Sequence, residues 1–232
     1  MDFQDFLHRF SNRSASHQRF FPFALHTEVL EYICNTIGAG SNTLETGSGL
    51  STVLFASRGS HHICIDPNRE VLENIKAYCR ECGVSVQGVT FYGERSENIL
   101  PSLELNSLDL VLIDGHHAFP IPFIDWFYAA RALKVGGVLI IDDINIWTGN
   151  VLKEFLLLES EWNIVKEVPR QAIIFRKEKE GGFSKQHYRQ PFVMLKSDIK
   201  ARYSRSIIQK LLRFMQKIIY HIKLYYCFGK RQ

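Results

Sequence analysis

Two periods alternate along this chain. Short β-prone runs at 43–46, 62–65, 86–92, 108–113 and 138–141 read as strands, and 108–113 is nearly all apolar, as a central parallel strand covered on both faces should be. Between them, residues 27–37, 50–57, 69–82, 96–103, 121–133 and 149–159 carry apolar side chains at helical spacing, with Val71, Leu72, Ile75 and Cys79 on one face of the third. Strand–helix alternation predicts an α/β domain built on a mostly parallel sheet. Lys134-Val135-Gly136-Gly137 reads as a helix stop and turn into strand 138–141. Two further strands, 162–167 and 171–176, are separated so narrowly, around Pro169-Arg170, that they must pair antiparallel.

Outside this body, residues 1–26 are expected to cap the substrate side of a domain spanning 27–176. Residues 177–191 (Lys-Glu-Lys-Glu-Gly-Gly to Pro191) read as a linker, and 192–232 as a basic helical tail. Apolar residues recur at 207, 208, 211, 212, 215, 218, 219 and 222, with Lys210, Arg213 and Lys217 opposite them. From residue 196 onward there are ten Lys/Arg and one acid, a net +9; the whole chain is +4, so the remainder carries −5. An acidic body with a basic tail leaves two readings of the tail open. It packs on the body or on a second copy as a homodimer, or it lies on an anionic membrane surface. The long apolar stripe argues against nucleic acid. Basic residues interrupt every run before it reaches spanning length. Phe3, Phe6 and Phe10 are interleaved with polar residues, unlike a signal peptide. The expected compartment is the cytoplasm, with peripheral membrane contact through the tail. The five cysteines form no secreted framework, and Cys79-x-x-Cys82 lies in a helical pattern, where packing explains it.

The candidate chemistry begins at Leu44-Glu45-Thr46-Gly47-Ser48-Gly49-Leu50-Ser51-Thr52, where a strand meets a helix through two glycines. Gly47 allows a tight turn, and Gly49 allows a ligand to approach bare backbone. About twenty residues on, strand 62–65 ends in Asp66, placed to take ribose hydroxyls. A dinucleotide loop calls for Gly or Ala where Thr52 stands, and Glu45 would repel a pyrophosphate. An acid beside the loop suits a ligand with a cationic end, such as the amino group of S-adenosylmethionine. The closing hairpin likewise departs from the usual dinucleotide fold.

Acids end successive strands: Glu45, Asp66, Asp114 and the pair Asp142-Asp143, with Asp114 opening Asp114-Gly115-His116-His117. In an open α/β sheet these ends share one rim. Their oxygens suit Mg2+, Mn2+ or Ca2+. A cation there lowers the pKa of a substrate hydroxyl, and His116 or His117 removes the proton. Each residue alone also reads as a helix cap or a loop histidine; the set together points to a site.

Glu-x-Gly-x-Gly-x-Ser-Thr at 45–52, Ile65-Asp66-Pro67, Ile113-Asp114-Gly115-His116-His117 and Leu133-Lys134-Val135-Gly136-Gly137 followed by Asp142-Asp143 resemble class I S-adenosylmethionine-dependent methyltransferases. The match is to a small metal-dependent O-methyltransferase-like group with an Ile-Asp-Gly-x-His motif, over roughly residues 27–176. The resemblance implies a Rossmann-like α/β fold, a mostly parallel seven-stranded sheet with a C-terminal antiparallel hairpin strand. It implies cofactor contacts at Glu45, Gly47, Gly49, Ser51, Asp66, Ser96 and Asp114, with Ser96 at the adenine. It implies metal ligands at Asp114, Asp142 and Asp143, and catalytic roles for Asp114 and His117, the latter as base. The chain departs from the group at His116, where Asp is common, and at Phe119, where Tyr is common. The expected activity is O-methylation of a small hydroxylated acceptor, a sugar or glycan. The alternative is a membrane-associated or scaffold protein that binds cofactor without turnover; a dehydrogenase is disfavoured by Thr52 and the hairpin.

Overall fold

A computed structural model describes residues 2–10, 25–105, 107–183 and 185–197. In chain order the elements are α1 (Phe3–Phe10), α2 (Thr27–Thr36), β1 (Asn42–Thr46), α3 (Leu50–Ser57), β2 (His61–Ile65), α4 (Arg69–Glu81), β3 (Val89–Tyr92) and α5 (Ser96–Ile99). They continue through β4 (Leu108–Ile113), α6 (Ile121–Ala129), β5 (Leu133–Ile141), α7 (Trp147–Leu156), β6 (Trp162–Val168), β7 (Ala172–Lys177) and α8 (Pro191–Lys196).

The seven strands form one sheet in the order β3-β2-β1-β4-β5-β7-β6. The first five are parallel; β7 runs antiparallel to both β5 and β6. The expected sheet and its closing hairpin are therefore present. Arg170 takes a positive φ of 62° where the hairpin reverses. From β1 the chain winds outward to β2 and β3, then returns to lay β4 on the other side of β1. Helices diverge above this β1/β4 switch, and a crevice opens at the carboxyl ends.

Two apolar cores sandwich the sheet. One packs α1 to α4 on it through Val29, Ile33, Val53, Phe55, Ile75 and Tyr78. The other packs α6 and α7 through Trp126, Leu152, Phe155 and the outer strands. In α1, Phe3, Phe6 and Phe10 are all buried, Tyr78 donates its hydroxyl to the Phe10 carbonyl (2.9 Å), and the Arg9 guanidinium reaches the Cys82 carbonyl. Cys79 and Cys82 are free and buried, and burial pushes the Cys79 thiol up to about 12. These cysteines pack, as expected.

Gly136-Gly137 are not a turn between helix and strand: α6 ends at Ala129, and both glycines lie within β5. Leu108 pairs with Leu133 but Leu110 pairs with Val138, so β5 bulges outward over residues the pairing skips. Gly136 sits in the bulge at φ 84°, a conformation costly for any side chain. Strand 86–92 starts later than expected, at Val89, and helix 96–103 divides into α5 and a 3-10 turn at Leu100–Ser102. Beyond β7, Lys185 bridges Glu159 and Glu161 (2.5 and 2.6 Å). Phe183 packs on Trp126 and Phe192 on Phe155, so part of the stretch read as a linker and the first residues of the stretch read as a tail rest on the body. The apolar stripe of 207–222 lies outside the described residues.

Candidate active site

The parallel strands end in step. Gly47 N–H donates to the Ile65 carbonyl, Asp66 to Tyr92, Asp114 to Thr46 and Asp142 to Ile113, at 2.9–3.0 Å. This ladder brings Gly47, Asp66, Asp114, Asp142 and Asp143 to one rim, where they line a cleft of about 710 Å3 together with Ser96 and His117. Gly47 has φ 85°, and a Cβ there would lie 2.2 Å from the Asp114 carbonyl oxygen. Only glycine lets β1 turn while passing this close to the loop after β4.

Asp66 is held at both oxygens. Ser48 Oγ donates to Oδ2 (2.5 Å) and Asn68 N–H to Oδ1 (2.8 Å). An acceptor fixed at the end of β2 suits a ligand diol.

Asp114, His117 and Asp143 each bring a ligating atom within 4.8 Å of the others. His117 Nε2 lies 3.1 Å from Asp143 Oδ2. Thr148 Oγ donates to the His117 carbonyl, tying the loop after β4 to the start of α7. Asp143 has φ 49°, a left-handed conformation that Asp tolerates better than most residues. Its neighbour Asp142 lies beside Asp114 but outside that group of three. Burial holds the Asp114 carboxyl well above the usual carboxylate range, reinforced by Asp142, Glu45 and Asp143. Burial and then Asp143 push Asp142 up to about 6, and its Oδ1 has no hydrogen-bond partner. Crowded acids with an unpaired buried oxygen and an adjacent imidazole fit a hard divalent cation.

Glu45, Gly49 and Ser51 do not line the cleft. Glu45 is buried beneath the glycine loop, where it accepts hydrogen bonds from Ser51 Oγ (2.7 Å) and Thr52 Oγ and pairs with His62 Nε2 (3.1 Å). Its carboxylate is engaged by the loop's own hydroxyls and by His62. Gly49 is extended, with open space beside its Cα.

Several lining residues carry no motif: Leu25, Arg95, Glu97 and Gln171. Fully buried Asp125 on α6 has no motif either, set as it is in the apolar run Ile121–Ala129. Just past His117, Phe119 and Trp147 are about two-thirds exposed, their ring centroids 6.2 Å apart, and form an aromatic lip.

Residues 44–144 match the family described as "Methyltransferase domain". Over that stretch the chain is similar to methyltransferase domains. Its fold recurs in solved structures of low identity. The O-methyltransferase TomG from Streptomyces achromogenes, in complex with SAM, is 17% identical over 74% of this chain and 90% of its own, with a TM-score of 0.60. Cofactor-bound Rv0187 from MTB is 17% identical over 74% and 90%, at 0.61. An rRNA methylase from Streptococcus thermophilus is 13% identical over 66% and 96%, at 0.53. No curated protein matches the chain in sequence. Proteins named for unlike acceptors share this fold, so the fold leaves the acceptor to be argued from the site.

Proposed function

We propose that the protein is an S-adenosylmethionine-dependent O-methyltransferase that uses Mg2+ or Mn2+ and acts on a small hydroxylated acceptor such as a sugar or glycan. The observation that carries this reading is the grouping of Asp114, His117 and Asp143 in the cleft that Gly47 and Asp66 also line. Asp66 takes the ribose hydroxyls, and Gly47 lets the cofactor lie against backbone. Asp114, Asp143 and the adjacent Asp142 would hold the cation, which supplies charge to polarise the acceptor hydroxyl. His117, oriented by Asp143 and by the Thr148 bond to its carbonyl, takes the hydroxyl proton at a ring nitrogen. The aromatic lip offers the acceptor an apolar face.

Titration calorimetry with S-adenosylmethionine and then NAD, followed by a methyl-transfer screen with and without Mg2+, tests this. Binding of the first but not the second, with EDTA-sensitive transfer, is expected. Tight NAD binding without affinity for S-adenosylmethionine overturns the cofactor. Full transfer in EDTA removes the metal and leaves His117 as an unassisted base. Cofactor binding with no turnover on any hydroxylated acceptor supports the scaffold alternative.

For partners, we propose that the basic tail docks the enzyme on an anionic membrane, from the pattern of residues 207–222 and the +9 charge. No helix among the described residues is long and apolar enough to cross a membrane. Reversing Lys210, Arg213 and Lys217 to Glu in the full chain should release it from anionic liposomes in sedimentation. If the unaltered chain stays in the supernatant at low salt, docking fails; if the reversal instead splits a dimer, the tail is an interface between copies.

A further inference from the structure

Among the described residues, Asp125 is the one fully buried acid neither of whose carboxylate oxygens has a well-aligned hydrogen-bond partner, although two hydroxyls lie close to it. It stands on α6, directly behind the cleft wall. The hydroxyls that act on it are those of Ser96 at the start of α5 and Thr46 at the end of β1, both lining residues; its charged neighbours, Glu97 and His116, line the cleft as well. Thr46 Oγ is itself buried and unpartnered. Burial pushes the Asp125 carboxyl up to about 6, and the two hydroxyls pull it back. A buried acid without well-aligned partners in an otherwise apolar helix costs stability that an aliphatic residue there would not. Pure packing gives no reason for it.

We propose that Asp125 is a positioning residue for the cofactor, setting Ser96 as a hydrogen-bond acceptor at the cleft wall. A serine hydroxyl has one hydrogen to donate and lone pairs to accept with. An ionised carboxylate only accepts, so it draws the Ser96 hydrogen, and in turn that of Thr46, away from the cleft. The Ser96 oxygen then presents lone pairs to the ligand and selects an N–H donor. The inference rests on the cleft taking S-adenosylmethionine, whose adenine carries such a donor in its exocyclic amine. A ligand with a carbonyl at that position meets acceptor against acceptor.

The test compares binding of S-adenosylhomocysteine and S-inosylhomocysteine, in which an oxygen replaces the amine, by calorimetry on the full chain. Wild type should prefer the adenosyl ligand by about tenfold or more, the scale of one hydrogen bond made or frustrated. Asp125→Asn can donate to Ser96 and turn its hydrogen into the cleft, so the preference should collapse towards unity or invert. In a Ser96→Ala background, Asp125→Asn should change the ratio no further. A purely structural Asp125 weakens both ligands alike and leaves the ratio fixed, and that result overturns the proposal. Thermal melts of each variant show whether it is folded, and Asp125→Glu keeps the carboxylate as a second variant that should retain the preference. If wild type binds neither ligand, the cofactor reading itself has failed, an outcome distinct from a fixed ratio.

Discussion

Two groups of metal-type side chains lie on either side of the glycine loop, and they differ in almost everything except residue type. Glu45, His62 and Cys64 are buried together under α3; Asp114, His117 and Asp143 are partly open to the cleft. In the first, every polar group of the pair has a partner. Glu45 is bonded to Ser51, Thr52 and His62; His62 is bonded again to Thr43 (2.8 Å) and stacked on Phe55, ring centroids 4.2 Å apart. Burial and Glu45 hold the Cys64 thiol well above its ordinary value, so it stays protonated and a poor ligand. In the second, acids face acids, the Asp114 and Asp142 carboxyls are raised, and an oxygen goes unpaired. The donor set alone does not make a site. Satisfied polar groups hold a loop in place, whereas unsatisfied groups beside a cleft are available to a ligand.

The largest effect should come from the satisfied group. Glu45→Ala leaves Ser51, Thr52 and His62 buried without their acceptor, and breaking a buried pair costs about 3–5 kcal/mol. Urea unfolding should show this loss with an unchanged slope. A stable Glu45→Ala whose only defect is cofactor binding would make Glu45 a ligand contact after all.

Asp125 belongs with the unsatisfied acids although it is fully buried. Its folded-state pKa of about 6 lies above the ordinary 3.8, so the folded chain holds the proton more tightly than the unfolded one. Stability therefore falls as pH rises from 4 through 6, and the cost is complete above 6. Asp125→Asn does not titrate there. Its stability relative to wild type should climb across that window by up to about 3 kcal/mol, read from melts at pH 4 to 7.5. A gap independent of pH would mean that the Ser96 and Thr46 hydroxyls offset the burial of the carboxyl in full.

Asp114→Asn and Asp143→Asn should leave the fold intact, relieve like-charge repulsion, and cut methyl transfer at least about 100-fold. Loss of folding instead would move this group to the structural side of the comparison.

The sheet, its closing hairpin and the rim of acids could be read directly from the chain, because period-2 and period-3.6 patterns and strand-end acids are local signals. The bulge in β5 could not: Gly136-Gly137 has the chemistry of a turn, and only the register against β4 shows that the strand continues past it. The direction of Glu45 was equally hidden. Its partner His62 comes seventeen residues later, on the neighbouring strand, and a Gly-loop acid with a buried histidine below it turns inward. Asp125 was lost in an apolar helix, where a single acid carries no periodic signal. His117 was expected as a base and Asp142 as a ligand; the fold groups His117 with Asp114 and Asp143, because the turn at Asp143 swings that carboxylate towards the imidazole.

The smallest effect bears on the comparison most directly. Metal binding to the folded state alone stabilises it by RT ln(1 + [M]/Kd), about 1.4 kcal/mol at ten times Kd. For a chain of 232 residues that is a rise of roughly 3–6 °C in Tm. Mg2+ or Mn2+ should produce this rise in wild type, EDTA should reverse it, and Asp114→Asn and Asp143→Asn should each abolish it. The buried group should contribute nothing, since its thiol is protonated and its carboxylate and imidazole are already committed to each other. Zn2+, which prefers the nitrogen and sulfur donors of that group, is the sharper probe. If Zn2+ still stabilises a chain carrying both Asp114→Asn and Asp143→Asn, and Cys64→Ala removes that gain, then the satisfied network opens to a metal, and satisfaction no longer separates the two groups.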